Sequence, residues 1–210
     1  MDDREIQSLL AFCHMSDIDC VVRVGHRDAN TLYRYMEDGA SGLMLPLISS
    51  PAEAEQIVQA VKFPPLGNRG MDGAGLDGDY FLACDDTYTD DSNRETFLVA
   101  QIELIEAVEQ VEAIAAVKGI DALFIGWGDL SLRIRHHPDI SWTLDEVADR
   151  VAAAAAANGI AWGGVTIKPE AARDWYDKGA RLLVFTGEYI SMMQALEAKG
   201  REIRETYPNR

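Results

Sequence analysis

The sequence predicts a parallel α/β fold, and three observations carry that expectation. Six short apolar runs read as buried strands, at residues 20–24, 42–46, 97–102, 121–126, 160–165 and 181–186. Segments in which apolar residues recur at helical spacing alternate with them. The connections are short, so successive strands run parallel and the helices cover the outside of the sheet.

The elements follow one another in a regular order. The first helix runs from Arg4 to about His14, with Ile6, Leu9, Leu10 and Cys13 on one face, and CVVRV (20–24) is the first strand. Residues 29–38 read as a helix and SGLMLP (41–46) as a strand. PAEAEQIVQAVK (51–62) is the next helix, with Pro51 near its first turn and Ser49 or Ser50 as its cap. FLVAQIE (97–103), EAVEQVEAIAAV (106–117) and DALFIGW (121–127) repeat the strand, helix, strand order. After a loop containing HHPDISW, Thr143 and Glu146 form a capping box for an alanine-rich helix that ends at about Asn158, where an Asn-Gly pair stops it. AWGGVT (161–166), KPEAARDWYDKG (168–179), RLLVFT (181–186) and a final helix from about Tyr189 to Glu205 complete the series.

Composition narrows the possibilities. A chain of 210 residues with 48% hydrophobic content suits one domain with a sizeable core. No apolar run approaches the 18 or so residues of a membrane span and no basic-apolar-small leader opens the chain, which predicts a cytoplasmic protein with no membrane contact. Cys13, Cys20 and Cys84 are odd in number and form no CxxC pair, so they read as reduced thiols. A net charge of −16 argues against nucleic acid and anionic membrane as partners. An anionic small substrate would need a bound cation to offset that field.

Two α/β architectures compete, an open doubly wound sheet and a closed (β/α)8 barrel. The strand count favours the open sheet. Polar groups at the C-terminal ends of many strands (Arg23, Glu103, Asp129, Thr166) favour the barrel, because an open sheet gathers its site at one switch point. One motif misleads: GAGLDG (73–78) matches the dinucleotide fingerprint letter for letter but follows no strand and opens no helix. The surrounding segment from Gly67 to Arg94 carries seven aspartates without EF-hand spacing, and reads as a solvated, mobile flap over an active site.

Two strands end on acids, Glu103 after VAQI and Asp129 after FIGWG. In a parallel α/β fold the C-terminal strand ends face the reaction site, so these carboxylates are expected side by side at its rim. Two hard oxygen donors with other positions left to water and substrate suit Mg²⁺ or Mn²⁺. On spacing alone, capping of the helices that follow explains them equally well.

At this point the residues resemble a known family. PPLGNRG (64–70), Asn93, QIE (101–103), VKGIDALFIG (117–126) and GDLS (128–131) together resemble the HpcH/HpaI family, metal-dependent class II pyruvate aldolases of the 2-keto-3-deoxyglucarate aldolase type, over nearly the whole chain. The resemblance implies a TIM-type (β/α) barrel with six of its eight strands evident, residues 1–210 forming one barrel domain that is short at its N-terminus. It also implies a homo-oligomer, a hexamer or trimer of dimers whose last helices swap between neighbours. Glu103 and Asp129 match the metal ligands, for Mg²⁺, Mn²⁺ or Co²⁺. Arg23 matches the arginine that steadies the enolate oxygen, Gln101 the active-site glutamine, and the backbone N–H groups of Gly128 and Asp129 those that hold the pyruvate carboxylate. The implied reaction forms or cleaves a C–C bond between pyruvate and an aldehyde through a metal-bound pyruvate enolate. Oxaloacetate decarboxylation is implied as a side activity.

Three departures accompany the resemblance. Trp127 of GWGDLS replaces the proline of the family's GPxDLS. Glu37 stands where the family has an aspartate that orients a catalytic histidine, one methylene longer and able to accept the same hydrogen bond. That histidine belongs to an Asp-x-Glu-His-Gly segment, and the chain is expected to start just after it. His14, His26, His136 and His137 do not align with it, and His136 and His137 read as a solvated pair. A citrate-synthase-like member, or a degenerate barrel serving as a binding or assembly module, is the alternative function; loss of the histidine segment favours the degenerate barrel, and the retained Arg23, Gln101, Glu103 and Asp129 favour catalysis.

Overall fold

The structure is a computed structural model and describes residues 3–25 and 28–208; His26 lies outside the described residues. Six strands, β1 (Val21–Arg23), β2 (Gly42–Leu45), β3 (Phe97–Ile102), β4 (Ala122–Ile125), β5 (Ala161–Val165) and β6 (Leu182–Val184), pair in chain order. Every pairing is parallel, so each strand is followed by a crossover over the same face. The sheet curls into part of a TIM-type barrel. Chain-order pairing is the barrel's topology, since a doubly wound sheet reverses its strand order at a switch point.

The helices are α1 (Asp3–Met15), α2 (Ala29–Glu37), α3 (Pro51–Val61), α4 (Tyr88–Glu95), α5 (Ile105–Glu109), α6 (Val111–Ala115), α7 (Trp127–Arg135), α8 (Leu144–Asn158), α9 (Pro169–Asp177) and α10 (Glu188–Thr206). Local chemistry sets their ends. Ser50 caps α3 with Pro51 in its first turn, Thr143 and Glu146 close the expected capping box on α8, and Gly159 ends α8 in the left-handed conformation (φ 67°) that a side chain would strain. Among the described residues no helix is long and apolar enough to cross a membrane.

Strand parity divides the sheet into two faces. Leu98, Ala100, Ile102, Leu123 and Ile125 point outward into the main core, against Val58, Ile114, Val151 and other helix residues. Val99, Ala122 and Phe124 point inward and form a small cluster with Met44, Phe97, Ala161 and Leu182. The same parity sends Gln101 and Glu103 inward.

The PPLGNRG stretch and Asn93 serve the opposite, N-terminal end of the strands. Asn93 clasps Phe63 in both directions: its Oδ1 accepts from the Phe63 N–H at 2.8 Å and its Nδ2 donates to the Phe63 carbonyl at 2.9 Å. Lys62 is fully buried beside this clasp and donates to the carbonyls of Asn93 and Thr96. Burial pushes its pKa down, and Asp121 at 3.8 Å partly offsets that.

The segment from Gly67 to Arg94 differs from the expected solvated flap. Buried Arg69 pairs with Asp77 at 2.6 Å and lies over the Phe63 ring, and the Tyr88 hydroxyl donates to the same carboxylate at 2.8 Å. Gly73 to Gly78 form a loop and a short 3-10 turn, with no strand leading directly into them and no helix opening directly from them, so GAGLDG lacks the strand–turn–helix setting of the dinucleotide fingerprint. Met71, Tyr80, Phe81 and Leu82 remain exposed.

Candidate active site

Three inward residues, Arg23 on β1 and Gln101 and Glu103 on and just after β3, form a hydrogen-bonded chain that reaches across β2. Arg23, at the end of β1, donates through Nε to the Gln101 Oε1 at 2.8 Å. Gln101 Nε2 in turn donates to Glu103 Oε2, and the Leu47 N–H donates to Glu103 Oε1 at 2.8 Å. The Arg23 guanidinium stands 3.9 Å from the same oxygen. The amide of Gln101 thus has its oxygen fixed by Arg23 and its nitrogen by Glu103, which orients the carboxylate.

The expectation of two acids side by side on a rim needs correction for one of them. Glu103 has no solvent exposure, whereas the Asp129 side chain is 54% exposed. Gly126 explains how a carboxylate fits in so crowded a place. A Cβ there would lie 2.6 Å from Glu103 Cβ and 2.7 Å from Gln101 Nε2, so only glycine leaves room for the pair. Gly126→Ala is accordingly expected to displace the Glu103 carboxylate and cut activity on 2-keto acids roughly a hundredfold, as ångström-scale misplacement does. An alanine variant with normal kcat would show that the carboxylate position is not critical.

Asp129 occupies the first turn of α7, whose N-terminal residue Trp127 follows Gly126. No side chain caps this terminus, so the N–H groups of the first turn, including those of Gly128 and Asp129, face the site without helical acceptors. They offer an anion a positive helix end. Arg133, 3.5 Å from Asp129, is its ion-pair partner one turn on.

Gln101, Glu103, Gly126, Trp127, Gly128 and Asp129 line one cavity of about 850 Å³. It continues over the ends of β4 and β5 to Thr166, Lys168 and Trp175, between the start of α8 and α9. Trp127 forms part of the wall. The two carboxylates supply hard oxygens to a common space, and each Glu103 oxygen accepts only one close N–H. This donor set fits Mg²⁺ or Mn²⁺ with positions left for water and substrate. Among the described residues no cluster of three or more His, Cys, Asp or Glu forms a closed metal site.

Glu37 is placed elsewhere. It ends α2, at the N-terminal end of the strands, buried beside Arg34 (3.6 Å) and near Arg69. Burial raises its carboxyl above the usual range, and the two arginines only partly offset this. It does not line the cavity that holds Glu103. His136 and His137 are exposed around the end of α7, as expected for a solvated pair, and His14 lies exposed in the last turn of α1. Thr166 was recognised as a strand-end polar residue, but the sequence carries no sign that its hydroxyl would be buried without a partner.

A parallel barrel that gathers an arginine, an amide, two carboxylates and a free helix start at the C-terminal ends of its strands is the architecture of a barrel enzyme. The profile of the HpcH/HpaI aldolase/citrate lyase family matches residues 4–193, and the chain belongs to that family. A hydroxypyruvate/pyruvate aldolase from Delftia acidovorans is 33% identical over 184 residues, covering 86% of this chain and 68% of the relative. The crystal structure of an HpcH/HpaI aldolase from Desulfitobacterium hafniense superposes with a TM-score of 0.83 at 30% identity, over 98% of this chain and 80% of that one. The citrate synthase SbnG superposes as well (TM-score 0.84, 98% of this chain and 80% of that one), but at 19% identity the likeness is one of fold. The relatives are named as aldolases, which are carbon–carbon lyases, and the chain is a member of that enzyme family.

Proposed function

We propose that this chain is a metal-dependent lyase of 2-keto acids, forming or cleaving the C–C bond between pyruvate and an aldehyde, and decarboxylating oxaloacetate as a side reaction. The observation that supports this most is the chain Arg23–Gln101–Glu103, which ends on a buried carboxylate in the cavity that Asp129 also lines. Glu103 and Asp129 would hold Mg²⁺, Mn²⁺ or Co²⁺, which when bound supplies a Lewis acid to the keto acid. The N–H groups of Gly128 and Asp129 bind the substrate carboxylate. Arg23 directs its guanidinium to the keto oxygen, where negative charge grows as the C–C bond breaks. Gln101 holds both Arg23 and Glu103 at fixed angles and is a positioning residue.

Residues 1–210 are proposed as one barrel domain. A homo-oligomer is proposed because α10 has no buried residue and exposes Tyr189, Ile190, Met192 and Leu196, an apolar surface that another copy would cover. Three free thiols support a cytoplasmic address.

Removing divalent metal with a chelator is expected to abolish turnover of oxaloacetate and other 2-keto acids, and Mn²⁺, Mg²⁺ or Co²⁺ to restore it. Full activity after exhaustive chelation would sink the metal assignment.

A further inference from the structure

One cation beside the cavity has no part in the proposed chemistry. Arg133 stands one helical turn beyond Asp129 on α7, and its side chain folds back toward the helix start, the direction in which helical side chains lean. Its Nη1 donates to the Asp129 carbonyl at 3.1 Å and lies 3.5 Å from the Asp129 carboxylate. Arg133 does not line the cavity, so it reaches the site only through Asp129.

The two contacts have different consequences. The hydrogen bond to the carbonyl holds the guanidinium in place whichever way the carboxylate turns, so its charge stays beside Asp129 when another cation approaches. The ion pair itself is loose at 3.5 Å, and a carboxylate with 54% of its side chain exposed has room to take a second partner. Glu103 is held differently, with one oxygen fixed by the Leu47 N–H and the other by Gln101. Of the two carboxylates, Asp129 is therefore the one whose availability a neighbour sets. A divalent cation there would share the carboxylate with Arg133 and meet its positive charge at close range.

We propose that Arg133 is a positioning residue that sets metal affinity: it competes with the cation for the Asp129 carboxylate and keeps that cation weakly held and exchangeable. This rests on the reading of Glu103 and Asp129 as metal ligands. A pair that served only to stabilise α7 would change the stability of the fold and leave metal affinity alone.

The test is a calorimetric titration of the metal-free protein with Mn²⁺ alone, with the metal-free Tm measured beside it. Arg133→Met, which keeps an apolar stem of similar length, is expected to bind Mn²⁺ about fivefold more tightly, near the upper end of what an exposed ion pair contributes. Arg133→Gln, also a good helix former, is expected to do the same, so the result does not hang on one variant. Arg133→Lys keeps the charge and should stay within about twofold of the wild type. So should Arg135→Met, which removes the same net charge from an exposed position two residues further on. Raising the ionic strength should narrow the gap between the wild type and Arg133→Met. Mn²⁺ binding in Arg133→Met and Arg133→Gln that equals the wild type or is weaker overturns the proposal, whatever their Tm. Equal tightening in Arg135→Met overturns it as well, since the effect then belongs to net charge and not to the pair. Mn²⁺ binding that Asp129→Asn abolishes but Arg133→Met leaves unmoved removes the role of Arg133 alone. A wild type that binds no Mn²⁺ at millimolar concentration removes the metal reading and the proposal with it.

Discussion

Arg23→Ala is expected to lower the turnover of oxaloacetate by about two to three orders of magnitude, the usual effect of removing a donor to a developing oxyanion. The guanidinium is 56% exposed in its side chain and makes a single strong contact, the 2.8 Å hydrogen bond to Gln101, so its loss should leave the fold standing. It also lies 3.9 Å from the Glu103 oxygen. Removing that positive charge takes a competitor from the carboxylate, so Mn²⁺ affinity should stay the same or rise slightly. The combination of lost turnover with retained metal distinguishes a catalytic arginine from a structural one. Arg23→Lys should rescue little, because an ammonium cannot hold the Gln101 oxygen through one N–H while directing others at a substrate oxygen. Near-normal turnover in Arg23→Ala would make the arginine structural.

Much of the scaffold was legible because strand burial writes itself into composition. FLVAQI and ALFI are covered on both faces, and both stand out as continuous apolar runs. Helices with a mixed pattern were harder. In α7 the apolar residues Leu130, Leu132 and Ile134 alternate at period two, which masks the helix, and α4 (YTDDSNRE) has almost no apolar face to signal one. The single helix expected over 106–117 is two, α5 and α6, broken at Gln110 (φ −112°, ψ 17°).

The site was legible in its residue types but not in its depth. Two acids at strand ends are visible in sequence. That Glu103 is enclosed depends on the Leu47 N–H, 56 positions earlier, and on the room left by Gly126, neither of which local pattern reveals. Glu37 shows the reverse limit. Its residue type suits a catalytic partner, yet helix direction carries it to the other end of the strands, into an ionic group with Arg34 and Arg69.

Glu103→Gln carries the second large effect. The carboxylate accepts from Leu47 on one oxygen and from Gln101 on the other. An amide has one acceptor oxygen, so one of these N–H groups would face an NH₂ instead. Gln101 cannot simply turn over, because its oxygen is held by Arg23. The orphaned donor costs about 1–3 kcal/mol, but the substitution also releases a buried charge, and the two terms oppose each other. The fold is therefore expected to survive without metal. The metal response is not. In the wild type, Mn²⁺ at a hundred times its Kd should stabilise the fold by about 2.7 kcal/mol, through binding to the native state alone. At roughly 2–4 °C per kcal/mol for a domain of this size, Tm should rise by roughly 5–10 °C. Glu103→Gln should lose that rise and nearly all turnover, and Asp129→Asn, a half-exposed side chain without the same enclosure, should lose the rise with no change in metal-free Tm. A Glu103→Gln variant that keeps the full Mn²⁺ shift would exclude Glu103 as a ligand, and would leave its burial to be explained by the Arg23–Gln101 chain alone.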